Sequence, residues 1–370
     1  MTTKPFPAVV LSSAIASAVL PLAAMAQTDP AVATSGETTV ANTAEAAAQK
    51  MATPAPEMQL VLDKLSELGA QPLHMLTVEK ARAQPTPADA VAAVMADKGI
   101  DAGPAADIAT RDIIIPGPAG DIKARVYTPP GDGPFPVIVY YHGGGWVIAG
   151  IDTYDASASA LSLGVGAVVV SSHYSQGPED VFPAAHDDAF AAYVWVVGNA
   201  GTLNADAARM VIAGESAGAN LAANVAIMAR DAKTITPLHQ LLVYPIAGND
   251  MNTPSYLENA NAAPLGKADM AWFVENAFAK MEDATDPRIN LVGRSDLSGL
   301  PPATMITAQI DPLRSESIAY GEALQTAGGE VEMMNYEGVT HEFFGMGAVV
   351  PQAVEAMDFA VARLRGALGR

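Results

Sequence analysis

Residues 211–220 read VIAGESAGAN: an apolar run, a glycine, a glutamate and a serine, a second glycine, then small helix-forming residues. The run is a buried strand and the residues after it start a helix, so Ser216 stands on the turn between them. Two readings compete. One is an ordinary strand-to-helix turn. The other is a sharp, strained turn for which Gly214 and Gly218 leave room, exposing the serine oxygen at the end of a buried strand.

Working outward, the same alternation recurs. PVIVYY (136–141), GAVVVSS (166–172), RMVIAG (209–214), HQLLVYP (239–245), ATMITAQI (303–310) and EVEMMNY (330–336) read as strands. Helical patterns cover 184–199, 217–230, 316–326 and 351–368. Continuous β-branched runs alternating with helices predict a mostly parallel central sheet covered on both faces. Upstream, RDIIIPG (111–117) and IKARVYTPP (122–130) predict an antiparallel pair joined by the turn 118–121. MQLVLDKLSELGA (58–70) predicts a helix with Leu60, Leu62, Leu65 and Leu68 on one side, and 86–98 a second helix entered through PTPADA. The section between Pro245 and Pro301 breaks the alternation; its helical block, 268–281, predicts an inserted lid.

The chain has 370 residues, half of them apolar, enough for one large domain. With 20 Lys and Arg against 40 Asp and Glu, its formal charge is −20, a balance that repels phosphate backbones and argues against nucleic acid as a partner. It contains no cysteine, which excludes disulfides, thiolate metal sites and a cysteine nucleophile. Lys4 precedes an apolar run from Ala8 to Met25, and Ala24-Met25-Ala26 has the small-residue pattern of a cleavage site. Residues 1–26 are therefore expected to be a signal peptide, giving an exported protein, periplasmic or secreted, with no stable membrane anchor after cleavage. Residues 27–57, rich in Ala, Thr, Pro and Glu, are expected to form a disordered tether.

In an open α/β sheet, ligands bind past the carboxyl ends of the strands. The strand at 136–141 is followed by His142-Gly-Gly-Gly-Trp146, that at 209–214 by Glu215-Ser216-Ala217-Gly218, that at 303–310 by Asp311-Pro312, and that at 330–336 by a loop ending in His341. One edge thus offers a Gly-rich backbone, a serine, an aspartate and a histidine. A serine hydroxyl is a weak nucleophile and needs a base beside it. His341 can take its proton and return it to a leaving group. Asp311 would hold the imidazole tautomer. Backbone amides of the glycine loop and of Ala217 can receive an oxyanion. His142 precedes the glycines and is read as structural. His186, Asp187 and Asp188 lie on a helical pattern before the serine and are set aside. Trp146 is read as a pocket wall or core residue.

With HGGGW at 142–146, GESAGAN at 214–220, DPLRSE at 311–316 and GVTHEFF at 338–344, together with FPAAHDDA at 182–189 and LSGLPPATMITA at 297–308, the chain resembles the α/β-hydrolase superfamily, in its hormone-sensitive-lipase-like esterase branch. The resemblance covers about residue 58 to the end. It implies the α/β-hydrolase fold: an eight-stranded, mostly parallel sheet flanked by helices, with a helical cap from about 58–105 and 246–285. It implies a carboxylesterase without metal or other cofactor, acting on small-molecule esters with short to medium acyl chains. Carried over residue by residue, Ser216 is the nucleophile, Asp311 the orienting acid and His341 the base, with Gly144, Gly145 and Ala217 as the oxyanion amides. Dimerisation through a sheet edge is common in the family, so a homodimer stays open.

The departures are local. Glu215 stands where the family often has Asp. Tyr174-Ser-Gln-Gly-Pro-Glu179 lacks an arginine the family often carries, which puts the salt bridges of that loop in question. Glu342 stands where Gly is frequent, and a carboxylate beside the base is expected to raise the histidine's pKa. Two other functions share the fold: an amidase such as an arylformamidase, and a non-catalytic ligand-binding relative, which typically lacks a triad member. An interfacial lipase is disfavoured, because no amphipathic membrane-facing lid is evident.

Overall fold

The computed structural model describes residues 51–100 and 107–369. The expected signal peptide and most of the tether lie outside them. Eight strands form one sheet: β1 (Ala109–Pro116), β2 (Asp121–Thr128), β3 (Phe135–Tyr141), β4 (Val168–Ser172), β5 (Ala205–Glu215), β6 (Gln240–Val243), β7 (Ala303–Ile310) and β8 (Val331–Thr340). Their order is β1-β2-β4-β3-β5-β6-β7-β8. The pairs β1–β2 and β2–β4 are antiparallel and the rest parallel. The expected hairpin is present, with Pro116 opposite Asp121 and Gly117 N–H bonded to the carbonyl of Gly120 at 2.8 Å.

The central strands are buried on both faces, which explains their unbroken apolar runs. On β3, Val137, Val139 and Tyr141 point into one core, while Ile138 and Tyr140 point into the other. The first core is covered by α5 (Ala184–Asn199), α6 (Ala217–Asp231) and α9 (Arg314–Thr326). The second is covered by α4 (Asp155–Val165) and α10 (Pro351–Ala367), joined by α1 (Pro56–Glu67) and α3 (Pro87–Lys98). Between α1 and α3 lies the short α2 (Val78–Ala83). The 245–301 section carries α7 (Pro254–Glu258) and α8 (Lys267–Ala277).

Three details differ from expectation. The buried stripe of α1 is Met58, Val61 and Leu65, while Leu60 and Leu68 are about two-fifths exposed. Leu60 and Leu62, two positions apart, point to nearly opposite sides of a helix, so the four leucines cannot share one face. Helix α4 is an element the pattern did not reveal, because serines and an alanine (Ser157, Ala158 and Ser162) share its buried face with Leu161 and Val165 and interrupt the apolar stripe. Strand β8 runs on to Thr340, past the expected end at Tyr336, with a register shift where it passes Ala308 and Ile310 of β7. Helix α3 starts as its sequence suggests: Thr86 accepts from Asp89 N–H, Asp89 accepts in return from Thr86 N–H, and Pro87 occupies the first turn.

Candidate active site

Ser216 sits between β5 and α6 with φ 56° and ψ −119°, a left-handed conformation that is strained for a serine. Two close backbone approaches hold it there. A Cβ on Gly214 would lie 2.2 Å from the carbonyl oxygen of Gly218, and one on Gly218 would lie 2.0 Å from that of Tyr141. No side chain fits either position, so the flanking glycines serve the turn itself. Ser216 N–H donates to Val243 O of β6 at 2.9 Å, and Ser216 O accepts from Ala219 N–H at 3.0 Å.

The ends of β7 and β8 bring Asp311 and His341 to the same point. His341 Nε2 is 2.9 Å from Ser216 Oγ, and His341 Nδ1 is 2.8 Å from Asp311 Oδ2. Asp311 Oδ1 accepts from Leu313 N–H at 2.8 Å, and its carbonyl accepts from Asn259 Nδ2 at 3.2 Å, which fixes the carboxylate. All three side chains are buried. Burial alone would lower the His341 pKa. The charge and hydrogen bond of Asp311, followed by the charges of Glu342 and Glu215, outweigh it and leave the imidazole above its usual value.

The 142–149 loop is held from several sides. Val147 and Ile148 N–H both donate to Gly144 O, at 3.0 and 2.9 Å. Tyr174 Oη donates to the carbonyls of His142 and Gly143, each at 2.9 Å. Gly144 has φ 98°, a conformation open to glycine. Among the described residues, no backbone carbonyl takes up the N–H groups of Gly144, Gly145 or Ala217, so these donors remain available beside Ser216.

The loop at 174–179 does not lack a guanidinium. Arg82 of α2 supplies it from the N-terminal segment. Its Nε donates to Val147 O at 2.9 Å, its Nη2 to Gly177 O at 2.7 Å, and Nη1 and Nη2 grip Glu179 at 2.8 Å each. Gln176 Nε2 adds a bond to Ile148 O at 2.7 Å.

Around the histidine lies a carboxylate–tyrosine web, of which the sequence reading reached the carboxylates Glu215 and Glu342 but not the tyrosines. Glu215 is buried and accepts from Tyr140 Oη at 2.6 Å and from Tyr244 Oη; burial raises its pKa to about 7 despite these bonds. The Tyr244 ring lies 4.4 Å from that of His341. Glu342, at φ 73°, accepts from Tyr154 Oη at 2.7 Å and stands 3.8 Å from His341 Nε2. Tyr154 immediately precedes α4, the element whose sequence gave no signal.

The residues set aside sit elsewhere. His142 Nδ1 meets Gly143 O at 2.8 Å and Nε2 meets His173 Nδ1 at 2.9 Å, with burial lowering its pKa to about 3. His186 meets Asn220 Oδ1 at 2.9 Å, and Asp188 accepts from Ser175 N–H at 2.8 Å. Trp146 packs edge-on against Phe278 and beside His186, as part of the core.

Above Ser216 and His341 lies a cavity of about 790 Å³, with Gly144 and Gly145 at its base. Its walls are mainly apolar and come from two segments, with Leu65 and Leu73 from one and Leu265, Met270 and Phe273 from the other. His74 Nδ1 to Asp269 at 2.8 Å and Trp272 Nε1 to Leu76 O at 3.0 Å tie these segments together.

A family profile described as the α/β hydrolase fold matches residues 138–345. The carboxylesterase NlhH of Mycobacterium tuberculosis is 43% identical over 255 residues, spanning 67% of this chain and 79% of that protein. The ethyl acetate hydrolase of Pseudomonas putida is 31% identical over 312 residues, spanning 83% and 96%. Among solved structures, a hyperthermophilic esterase from the archaeon Pyrobaculum calidifontis superposes with a TM-score of 0.77 at 34% identity, over 85% of this chain and 99% of that one. Sheet order, serine turn and sequence relatives agree, and the chain belongs to the α/β-hydrolase fold family.

Proposed function

We propose that the protein is a serine carboxylesterase that hydrolyses esters with short to medium acyl chains through an acyl-enzyme. The observation that carries this reading is the unbroken line from Asp311 Oδ2 through His341 to Ser216 Oγ, opening at the base of a mainly apolar cavity. The cavity volume lies in the range of small-molecule sites.

The steps follow from the residues. Ser216 Oγ bonds to the ester carbonyl carbon as His341 Nε2 takes its proton. Asp311 stabilises the resulting imidazolium and keeps the ring oriented. The carbonyl oxygen, now an oxyanion, accepts from the amides of Gly144, Gly145 and Ala217; one such donor is typically worth about 2.7–4 kcal/mol of barrier. The intermediate collapses, the C–O bond to the alcohol breaks, and the alcohol leaves with the proton from Nε2. Water then repeats the sequence on the acyl-enzyme and frees the acid and Ser216.

The test is hydrolysis of p-nitrophenyl esters from acetate to decanoate by the protein and by Ser216→Ala. Turnover fastest on the shorter chains, reduced by about 10⁶ in the variant, is the expected result. A folded protein with no turnover on any ester overturns the reading, and formamide substrates would then test the amidase. Export is proposed on the Ala8–Met25 run and the Ala24-Met25-Ala26 pattern. An exported form with Met1 intact would refute cleavage.

A further inference from the structure

We infer that Glu342 makes the leaving-group side of this site selective for esters whose alcohol carries a cationic centre, such as a quaternary ammonium, a few atoms from the ester oxygen. This rests on the carboxylesterase reading above and deepens it.

The argument starts from position. The leaving oxygen of an ester must come within hydrogen-bond reach of His341 Nε2, because that atom protonates it. Glu342 Oε1 lies 3.8 Å from the same nitrogen, and Glu342 lines the cavity. A carboxylate there faces the alcohol half of the substrate. A cationic centre two carbons beyond the ester oxygen falls within its reach.

The charges of the cavity point the same way. Arg82 is committed to Glu179 and to two carbonyls. Asp269 is paired with His74, and Asp152, at the rim, with Arg125 at 2.7 Å. Glu342 is left with a tyrosine hydroxyl and the catalytic histidine; among the described residues no lysine or arginine forms an ion pair with it. An unneutralised carboxylate in a mainly apolar cavity is costly unless something compensates it. A cationic substrate would do so. Tyr154 and Phe273 line the same cavity, and aromatic rings attract alkylammonium groups.

The backbone adds an independent sign. Glu342 has φ 73°, where glycine costs nothing and a glutamate is strained. Such strain persists at sites where the side chain has a use. Tyr154 Oη, donating at 2.7 Å, aims the carboxylate and keeps it an acceptor.

The experiment compares two esters of one shape: 2-(trimethylammonio)ethyl butyrate and 3,3-dimethylbutyl butyrate, which differ by a charged nitrogen for a carbon. Each kcat/KM is divided by that ester's rate of hydroxide-catalysed hydrolysis, which removes the intrinsic difference between the alcohols. The full chain should prefer the cationic ester at least tenfold, about 1.4 kcal/mol. In Glu342→Gln the ratio should fall to within about threefold of unity, and any loss common to both esters cancels. A wild-type ratio at or below one overturns the inference while leaving the esterase standing, and so does a ratio that Glu342→Gln does not move. The wild-type ratio decides alone if the variant does not fold. If neither ester nor p-nitrophenyl acetate is turned over, the esterase reading falls, and the preference falls with it.

Discussion

Arg82 ties the N-terminal segment to the loop that carries the oxyanion amides, and its removal separates two kinds of interaction. Glu179 is 61% exposed and Arg82 31% exposed, so the ion pair between them is worth only about 0.2–1 kcal/mol. Hydrogen bonds from a charged group to protein carbonyls are worth about 1.5–3 kcal/mol each, and Arg82 makes two, to Val147 O and Gly177 O. Water can reach part of this site, so the lower end applies, and Arg82→Ala should cost about 3 kcal/mol while Glu179→Gln should cost less than 1. With an unfolding entropy of about 2.1 cal/mol/K per residue over roughly 300 residues, each kcal/mol moves Tm by about 1.5 °C. Arg82→Ala is therefore expected to melt about 4–5 °C lower and Glu179→Gln within about 1.5 °C of wild type. Because Val147 N–H also closes the turn on Gly144 O, loosening Val147 should disturb the amides, lowering kcat on p-nitrophenyl butyrate by about tenfold for Arg82→Ala. Thermal melts and kcat for both variants test this. Equal damage from the two substitutions would mean that the ion pair, not the carbonyl bonds, holds the segment, and would refute the reasoning.

The raised pKa of His341 places the acid limb of kcat/KM above the ordinary histidine value of about 6.5, since the protonated base cannot accept from Ser216. Removing the Glu342 charge with Glu342→Gln should move that limb to lower pH on a neutral p-nitrophenyl ester; a limb that stays in place would show that Asp311 and Glu215 alone set it. Ser216→Gly and Ser216→Ala both remove the hydroxyl, but only glycine relaxes φ 56°. The glycine variant should therefore be the more stable of two inactive proteins by about 1 kcal/mol in thermal or denaturant unfolding, and an equal or lower stability would refute strain at the turn.

What could be read in the sequence was what is determined locally. Each central strand is buried on both faces, so it announces itself as a continuous apolar run whichever neighbours it pairs with. Ser216 and Asp311 follow such strands, His341 follows the partly exposed edge strand β8, and one rule about strand ends reaches all three. Where local marks were weak, the reading failed. The buried face of α4 is largely serine and alanine, and in α1 leucines on several sides masked the stripe through Met58 and Val61.

The partners that tune the site were illegible for a different reason. Tyr154 meets Glu342 across 188 positions, Arg82 meets Glu179 across 97, and Tyr140 meets Glu215 across 75. Nothing near either member of these pairs signals the other, because each contact exists only once the fold is assembled; Tyr140 and Glu215, for instance, meet because β3 and β5 are neighbours in the sheet. The missing arginine of the 174–179 loop shows the consequence. Judged by its neighbours in sequence, that loop had lost its cation; judged by its neighbours in space, it has one, delivered by a helix some ninety residues upstream. The chemical groups of the site can thus be found one motif at a time. The setting of their charges, both the pairing of Glu179 with Arg82 and, among the described residues, the absence of a lysine or arginine paired with Glu342, is a property of the assembled fold.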